Sequence, residues 1–128
     1  MISFDLFAIE DKSPIYVQIL RYIKRGIVSG AILNGDELPS RRVLSALLGI
    51  NPNTVQKAYR MLEEEGLIES RSGAKSIMAL DGATIERVRE ELMESDVLSV
   101  INALKQAGIS KEEALKLIEQ NWGGGMTP

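Results

Sequence analysis

The stretch LPSRRVLSALLGINPNTVQKAYRML, residues 38–62, constrains this chain more than any other. Two helix-start signals lie about a dozen residues apart within it. Between Glu37 and Glu63 there is no carboxylate, while Arg41, Arg42, Lys57 and Arg60 place four cations in the window. The whole chain carries a net charge of −3, so the clearing is local. Two short helices joined by a tight turn and freed of negative charge suit a phosphate-lined groove.

The turn chemistry points the same way. Ser40 is placed to cap a first helix over Arg41 to Leu48, and Gly49 ends it where a left-handed backbone is needed. Ile50 anchors the turn. Asn51 then caps a second helix with Pro52 at its first position, where the missing N–H costs nothing. Val55, Ala58, Tyr59 and Leu62 recur at i, i+3, i+4 and i+7, which makes them one buried face. Asn53, Gln56, Lys57 and Arg60 repeat the spacing on the opposite face, with Thr54 beside them. These side chains pair with base edges or hold phosphates. The pattern is that of a helix-turn-helix; spacing alone would fit an ordinary helical pair as well.

The surrounding chain narrows the choice. In 128 residues, 45% of them hydrophobic, there is room for one compact domain and an appendage. Cysteine and histidine are both absent, which excludes disulfides, thiolate zinc sites and His-based catalysis. No cationic start precedes an apolar run and no long apolar stretch occurs, so a soluble, cytoplasmic protein without membrane contact is expected. Charge is uneven: residues 1–80 hold ten cations and nine acids, residues 81–128 five and nine. The first part can approach DNA, and the second would be repelled by it.

Residues 1–12 read as an irregular or extended lead-in with Ile2, Phe4 and Leu6 alternating. Ser13-Pro14 is expected to open a helix, Ser capping and Pro first, with Ile15, Ile19, Ile23 and Ile27 as its core stripe and Gly30 as its end. Lys24 and Arg25 near that end are assigned to the helix dipole rather than to phosphate. Asn34-Gly35-Asp36 is a turn signal. After the second helix of the motif, Glu63-Glu64-Glu65 must point away from a duplex, so that helix would enter DNA by its N-terminal half. Two short strands, Leu67–Ser70 and Ser76–Leu80, flank Arg71-Ser72-Gly73-Ala74-Lys75. A hairpin with Arg71 and Lys75 at its tip, directly after a helix-turn-helix, is a wing whose cations reach phosphate or the minor groove.

The run LPSRRVLSALLGINPNTVQKAYRMLEEEGLIESRSG resembles the DNA-binding domain of the GntR family of bacterial transcription regulators. Pro14-Ile15-Tyr16-x-Gln18-Ile19, Asn51-Pro52-Asn53-Thr54-Val55 and Lys57-Ala58-Tyr59 resemble the YtrA-like subfamily in particular. The resemblance covers roughly residues 4–80. It implies that Ser40 and Arg42 match the Leu-Pro-Ser-x-Arg motif, whose arginine contacts DNA. It also implies that Asn51, Asn53 and Thr54 start the recognition helix, that Gln56 and Lys57 lie on its exposed face, and that Gly73 is the first wing glycine. Two positions depart from the pattern: Arg41 stands where glutamate or valine is usual, and Lys75 where a second wing glycine is usual. The resemblance further implies repression, with the protein's own operon and transporter genes as targets.

The tail carries a second pattern. Asp81-Gly82 is expected to break the chain. A long helix then runs from Thr84 to Ala107 with Ile85, Val88, Leu92, Val97, Val100, Ile101 and Leu104 apolar, and Gly108 ends it. Ser110-Lys111-Glu112-Glu113 opens another helix carrying Leu115 and Ile118. Two such helices cannot bury their own stripes, so a second copy of the chain is expected as partner; packing back on their own domain is the alternative. Trp122 joins the dimerisation set, and the glycines after it read as a mobile end.

The expected fold is therefore mainly α with a small β-hairpin. A winged helix-turn-helix DNA-binding domain occupies residues 1–80, and a two-helix dimerisation segment with a flexible end occupies residues 81–128. The expected function is sequence-specific transcription regulation by a homodimer on a palindromic operator of double-stranded DNA. Ser40, Arg41, Arg42, Asn51, Asn53, Thr54, Gln56, Lys57, Arg60, Arg71, Gly73 and Lys75 are the expected DNA contacts. No enzyme, metal or cofactor is expected, since the acid pairs Glu90-Glu91 and Glu112-Glu113 have no base, nucleophile or phosphate loop beside them. A protein-interaction module and a non-specific architectural DNA binder are the rival readings, and a small-molecule effector is left open as a partner.

Overall fold

Among the described residues, five α-helices and three short strands follow one another: α1 Ile15–Ser29, β1 Glu37–Leu38, α2 Arg41–Leu48, α3 Pro52–Glu64, β2 Ile68–Arg71, β3 Lys75–Met78, α4 Gly82–Gln106 and α5 Lys111–Trp122. The protein is represented by a computed structural model that describes residues 1–10 and 12–124. Residues 1–92 form one compact unit, and a second begins at Met93.

Helix α1 follows its isoleucine period. Ile19, Leu20, Ile23 and Ile27 are buried, and the helix closes on left-handed Gly30 at φ 84°. Its start differs from the expected one. Pro14 occupies the cap position in extended backbone (φ −56°, ψ 144°), and Ser13 does not cap. The Gln18 amide ties the entry down instead, donating to the carbonyls of Glu10 (2.6 Å) and Ser13 (2.7 Å) and accepting from Glu10 N–H (2.8 Å). In the lead-in, Ile2 and Phe4 are buried whereas Leu6 is exposed. The alternation ends in a turn closed by Phe7 N–H on Phe4 O, which stacks Phe4 on Tyr22 at 5.0 Å.

The hairpin is wider than its two expected strands. Glu37–Leu38, just after the expected Asn34-Gly35-Asp36 turn, adds as β1 to the edge of β3, giving a three-stranded antiparallel sheet in the order β1-β3-β2. Strand β2 ends at Arg71 and β3 begins at Lys75, so these two cations form the last register pair. Ile68, Ser76 and Met78 face inward and are buried. They close over a core built from α1, α2, α3 and the lead-in, in which Ile19, Leu44, Val55, Tyr59, Leu62 and Leu67 are almost wholly enclosed.

Asp81-Gly82 starts a helix rather than breaking the chain. Thr84 N–H donates to Asp81 Oδ1 at 2.8 Å, and that bond holds the carboxyl below its ordinary range. The first turns of α4 belong to the winged unit: Val88 lies in its core cluster, Ile85 packs against it, and Leu92 is also buried. These three were expected to serve dimerisation. Val88 and Leu92 leave almost no apolar surface exposed, whereas Ile85 is only partly buried.

In the second unit, Gly108 turns the chain at φ 75° and Ser110 caps α5 by accepting from Glu113 N–H at 3.2 Å. No described side chain of α5 is buried. Val97, Leu98, Val100, Ile101, Leu115, Leu117 and Ile118 are exposed, as is Trp122 at 82%. Of the expected mobile end, residues 125–128 lie outside the described residues.

Candidate nucleic-acid interface

Helices α2 and α3 begin as their sequences require. Val43 N–H donates to Ser40 Oγ at 3.2 Å, and Asn53 N–H donates to Asn51 Oδ1 at 2.8 Å, with Pro52 in the first turn. Gly49 turns the chain between them at φ 65°, and its N–H reaches Ser45 O. Capping of this kind satisfies amide donors at each helix start and fixes where each helix begins.

The two faces of α3 separate cleanly. Val55, Ala58, Tyr59 and Leu62 are buried; Asn53, Gln56, Lys57 and Arg60 are exposed, and Thr54 is half-buried. Tyr59 does more than fill the core. Its hydroxyl donates to Pro39 O at 2.6 Å, so α3 holds the residue that leads into α2. Burial pushes the Tyr59 phenol well above its ordinary value of 10.0, against a smaller opposing effect of Arg41.

The two arginines of α2 diverge. Arg42 is exposed. Arg41 is half-buried, with its guanidinium carbon 5.5 Å from the Tyr59 ring centroid and its Nε enclosed without a hydrogen-bond partner among the described residues. Arg41 thus lies against the α2–α3 joint, where a carboxylate at the same position could not make this stacking contact. Lys57 is also positioned by a ring: its ammonium lies over Tyr16 of α1 at 4.0 Å. This pair and the Tyr59–Pro39 bond were not read from sequence, since each joins residues far apart in the chain.

Two of the acids at the end of α3 are engaged inside the unit. Glu63 accepts from Ser70 Oγ at 2.6 Å; the Glu65 carboxylate pairs with Lys24 at 2.9 Å, and its carbonyl accepts from Arg87 at 2.8 Å. Lys24, assigned from sequence to the helix dipole, instead links α1 to the end of α3. The wing tip is the single turn Ser72-Gly73-Ala74, where Gly73 sits at φ 78°. Nothing lies within 4 Å of where a Cβ would be, so the requirement for glycine is conformational. Arg71 pairs with Glu69 at 3.0 Å, and Lys75 is exposed. Among the described residues no cluster of metal-ligating side chains occurs, and no helix is long and apolar enough to cross a membrane.

Residues 15–75 match the family model described as bacterial regulatory proteins, gntR family. The chain is similar to YhcF, an HTH-type transcriptional regulator of Bacillus subtilis, at 31% identity across 91% of this chain and 96% of that protein. It is 34% identical to the HTH-type transcriptional repressor YtrA of the same organism, over 84% of each. Among solved structures, a GntR family transcriptional regulator from Listeria monocytogenes superimposes with a TM-score of 0.73 at 33% identity, covering 88% of this chain and 98% of that one. YtrA from Sulfolobus acidocaldarius, a GntR-family transcription factor, gives 0.56 at 33% identity over 76% and 99%. The chain belongs to the GntR family of bacterial transcription regulators and is YtrA-like, a winged helix followed in sequence by C-terminal helices, and its function is DNA-binding regulation of transcription rather than catalysis.

Proposed function

We propose that this regulator is a repressor that binds a palindromic operator as a homodimer. Asn53, Gln56, Lys57 and Arg60 of α3 would enter the major groove, Ser40 and Arg42 of α2 would hold the adjacent backbone, and the wing tip at Arg71, Gly73 and Lys75 would reach the flanking phosphates. The observation that carries this reading is the division of α3: a polar face, acid-free from Asn53 to Arg60, lies exposed opposite a fully buried one. Asn51 and Thr54 stand at the start of the same helix, where N–H groups and the helix dipole favour phosphate.

The homodimer is supported by the second unit, whose apolar side chains Val97, Val100, Ile101, Leu115, Ile118 and Trp122 are exposed, with Leu104 half-buried beside them. A second copy would bury that surface and bring two winged units to related half-sites. Repression is supported by the chain's similarity to YtrA of Bacillus subtilis, itself a transcriptional repressor. Recovery of bound fragments from the source genome at moderate salt tests the proposal. A shared palindrome with reduced transcription from the adjoining promoter is the expected result. Fragments without any shared sequence would contradict operator recognition, and increased transcription would contradict repression.

A further inference from the structure

The outer face of the wing orders its charges. Side chains alternate across a strand, so Glu69, Arg71, Lys75 and Ile77 share the face opposite the buried Ile68, Ser76 and Met78. At the tip Arg71 stands opposite Lys75, and like charges so opposed repel. One step back on the same strand and face, the Glu69 carboxylate meets Arg71 Nη2 at 3.0 Å, with both side chains more than half exposed.

We propose that Glu69 is a resident counter-ion of the wing, its carboxylate occupying the place on the Arg71 guanidinium that a phosphate would otherwise take. A guanidinium presents its N–H donors to a carboxylate or a phosphate in the same way, so the two anions compete for it. DNA gains the Arg71 Nη2 contact by displacing Glu69, and the displaced carboxylate then lies close to a polyanion. Phosphate contacts carry no sequence information. Glu69 therefore lowers the sequence-independent part of binding and leaves discrimination to the exposed face of α3. Glu69 acts through Arg71 as a positioning residue. This inference rests on the reading of the wing as a DNA contact.

Sequence-independent contacts can be measured without knowing the operator. The full-length parent, Glu69→Gln, Arg71→Gln and the double variant would be titrated with a short mixed-sequence duplex by fluorescence polarisation across a salt series. An exposed ion pair contributes little to folding, so unchanged thermal midpoints are expected. Glu69→Gln should bind several-fold tighter at low salt. Its log affinity should also fall more steeply with log salt, by up to about 0.9, the value of one further phosphate contact. Both changes should vanish in the Arg71→Gln background. No gain from Glu69→Gln, or an equal gain in both backgrounds, would overturn the proposal. Folded parent protein that binds no duplex at any salt would overturn both this inference and the DNA-binding reading of the wing.

Discussion

Arg41 and Arg42 are neighbours with the same charge, yet the fold separates their roles. Arg42 stands exposed at the start of α2, whereas Arg41 lies half-buried over the Tyr59 ring. Arg42→Ala is accordingly expected to weaken specific DNA binding by about 1–3 kcal/mol while leaving the thermal midpoint unchanged, as read by titration and calorimetry. Tyr59→Phe should do the reverse, lowering stability by about 1–3 kcal/mol because Pro39 O loses its buried donor. The same substitution has a pH signature. The folded phenol titrates above its ordinary value of 10.0, so its stabilising contribution is complete below that value and is lost as pH rises beyond it. Stability of the parent against denaturation should thus fall off more steeply above pH 10 than that of Tyr59→Phe. Single residues were legible in the sequence where the deciding chemistry is local. Ser40, Gly49, Asn51 and Ser110 all cap or turn the chain as their types require. Ser13 did not, because the Gln18 amide, five residues on, secures that entry. Partnerships such as Lys57 with Tyr16 were not legible, since only the packing of α1 against α3 creates them.

Among the elements, the α2-turn-α3 pair rests on its caps and on one buried face. Asn51→Ala removes the acceptor for Asn53 N–H and is expected to cost about 1 kcal/mol of stability. Because the cap also fixes the first turn of the recognition helix, DNA affinity should fall with it; undiminished affinity in titrations would detach the cap from the interface. The helices were visible in the sequence through their 3.6-residue period. The sheet was visible only in part. Strand β1 has two residues, too few for any alternation, and it forms because β3 offers Ile77 and Ser76 as partners for Glu37 and Leu38. The wing's charge order was hidden for a related reason. The sequence displays Arg71 and Lys75 around a glycine turn, but the register sets them opposite each other with Glu69 behind.

Across the molecule, α4 serves two compact units. Its early apolar residues complete the winged unit's core, while later ones are exposed in the second unit. A helical period cannot reveal this division, because apolar residues recur alike whether they meet their own domain or a second chain. Val88→Asp and Val100→Asp separate the two roles. The first should unfold the winged unit by burying an unpaired carboxylate; the second should leave that unit's melting intact and shift the protein to monomer in sedimentation. A dimer unchanged by Val100→Asp would remove that residue from the proposed intersubunit face. Whether the exposed face of α3 reads a base sequence is decided by selecting duplexes from a random pool with the parent chain and, in parallel, with Gln56→Ala. The expected result is a palindrome from the parent and, from the variant, loss of preference at one symmetry-related position in each half-site. Identical selected sequences from the two proteins would contradict base reading by Gln56, and folded parent protein that enriches no sequence would contradict base reading by the helix.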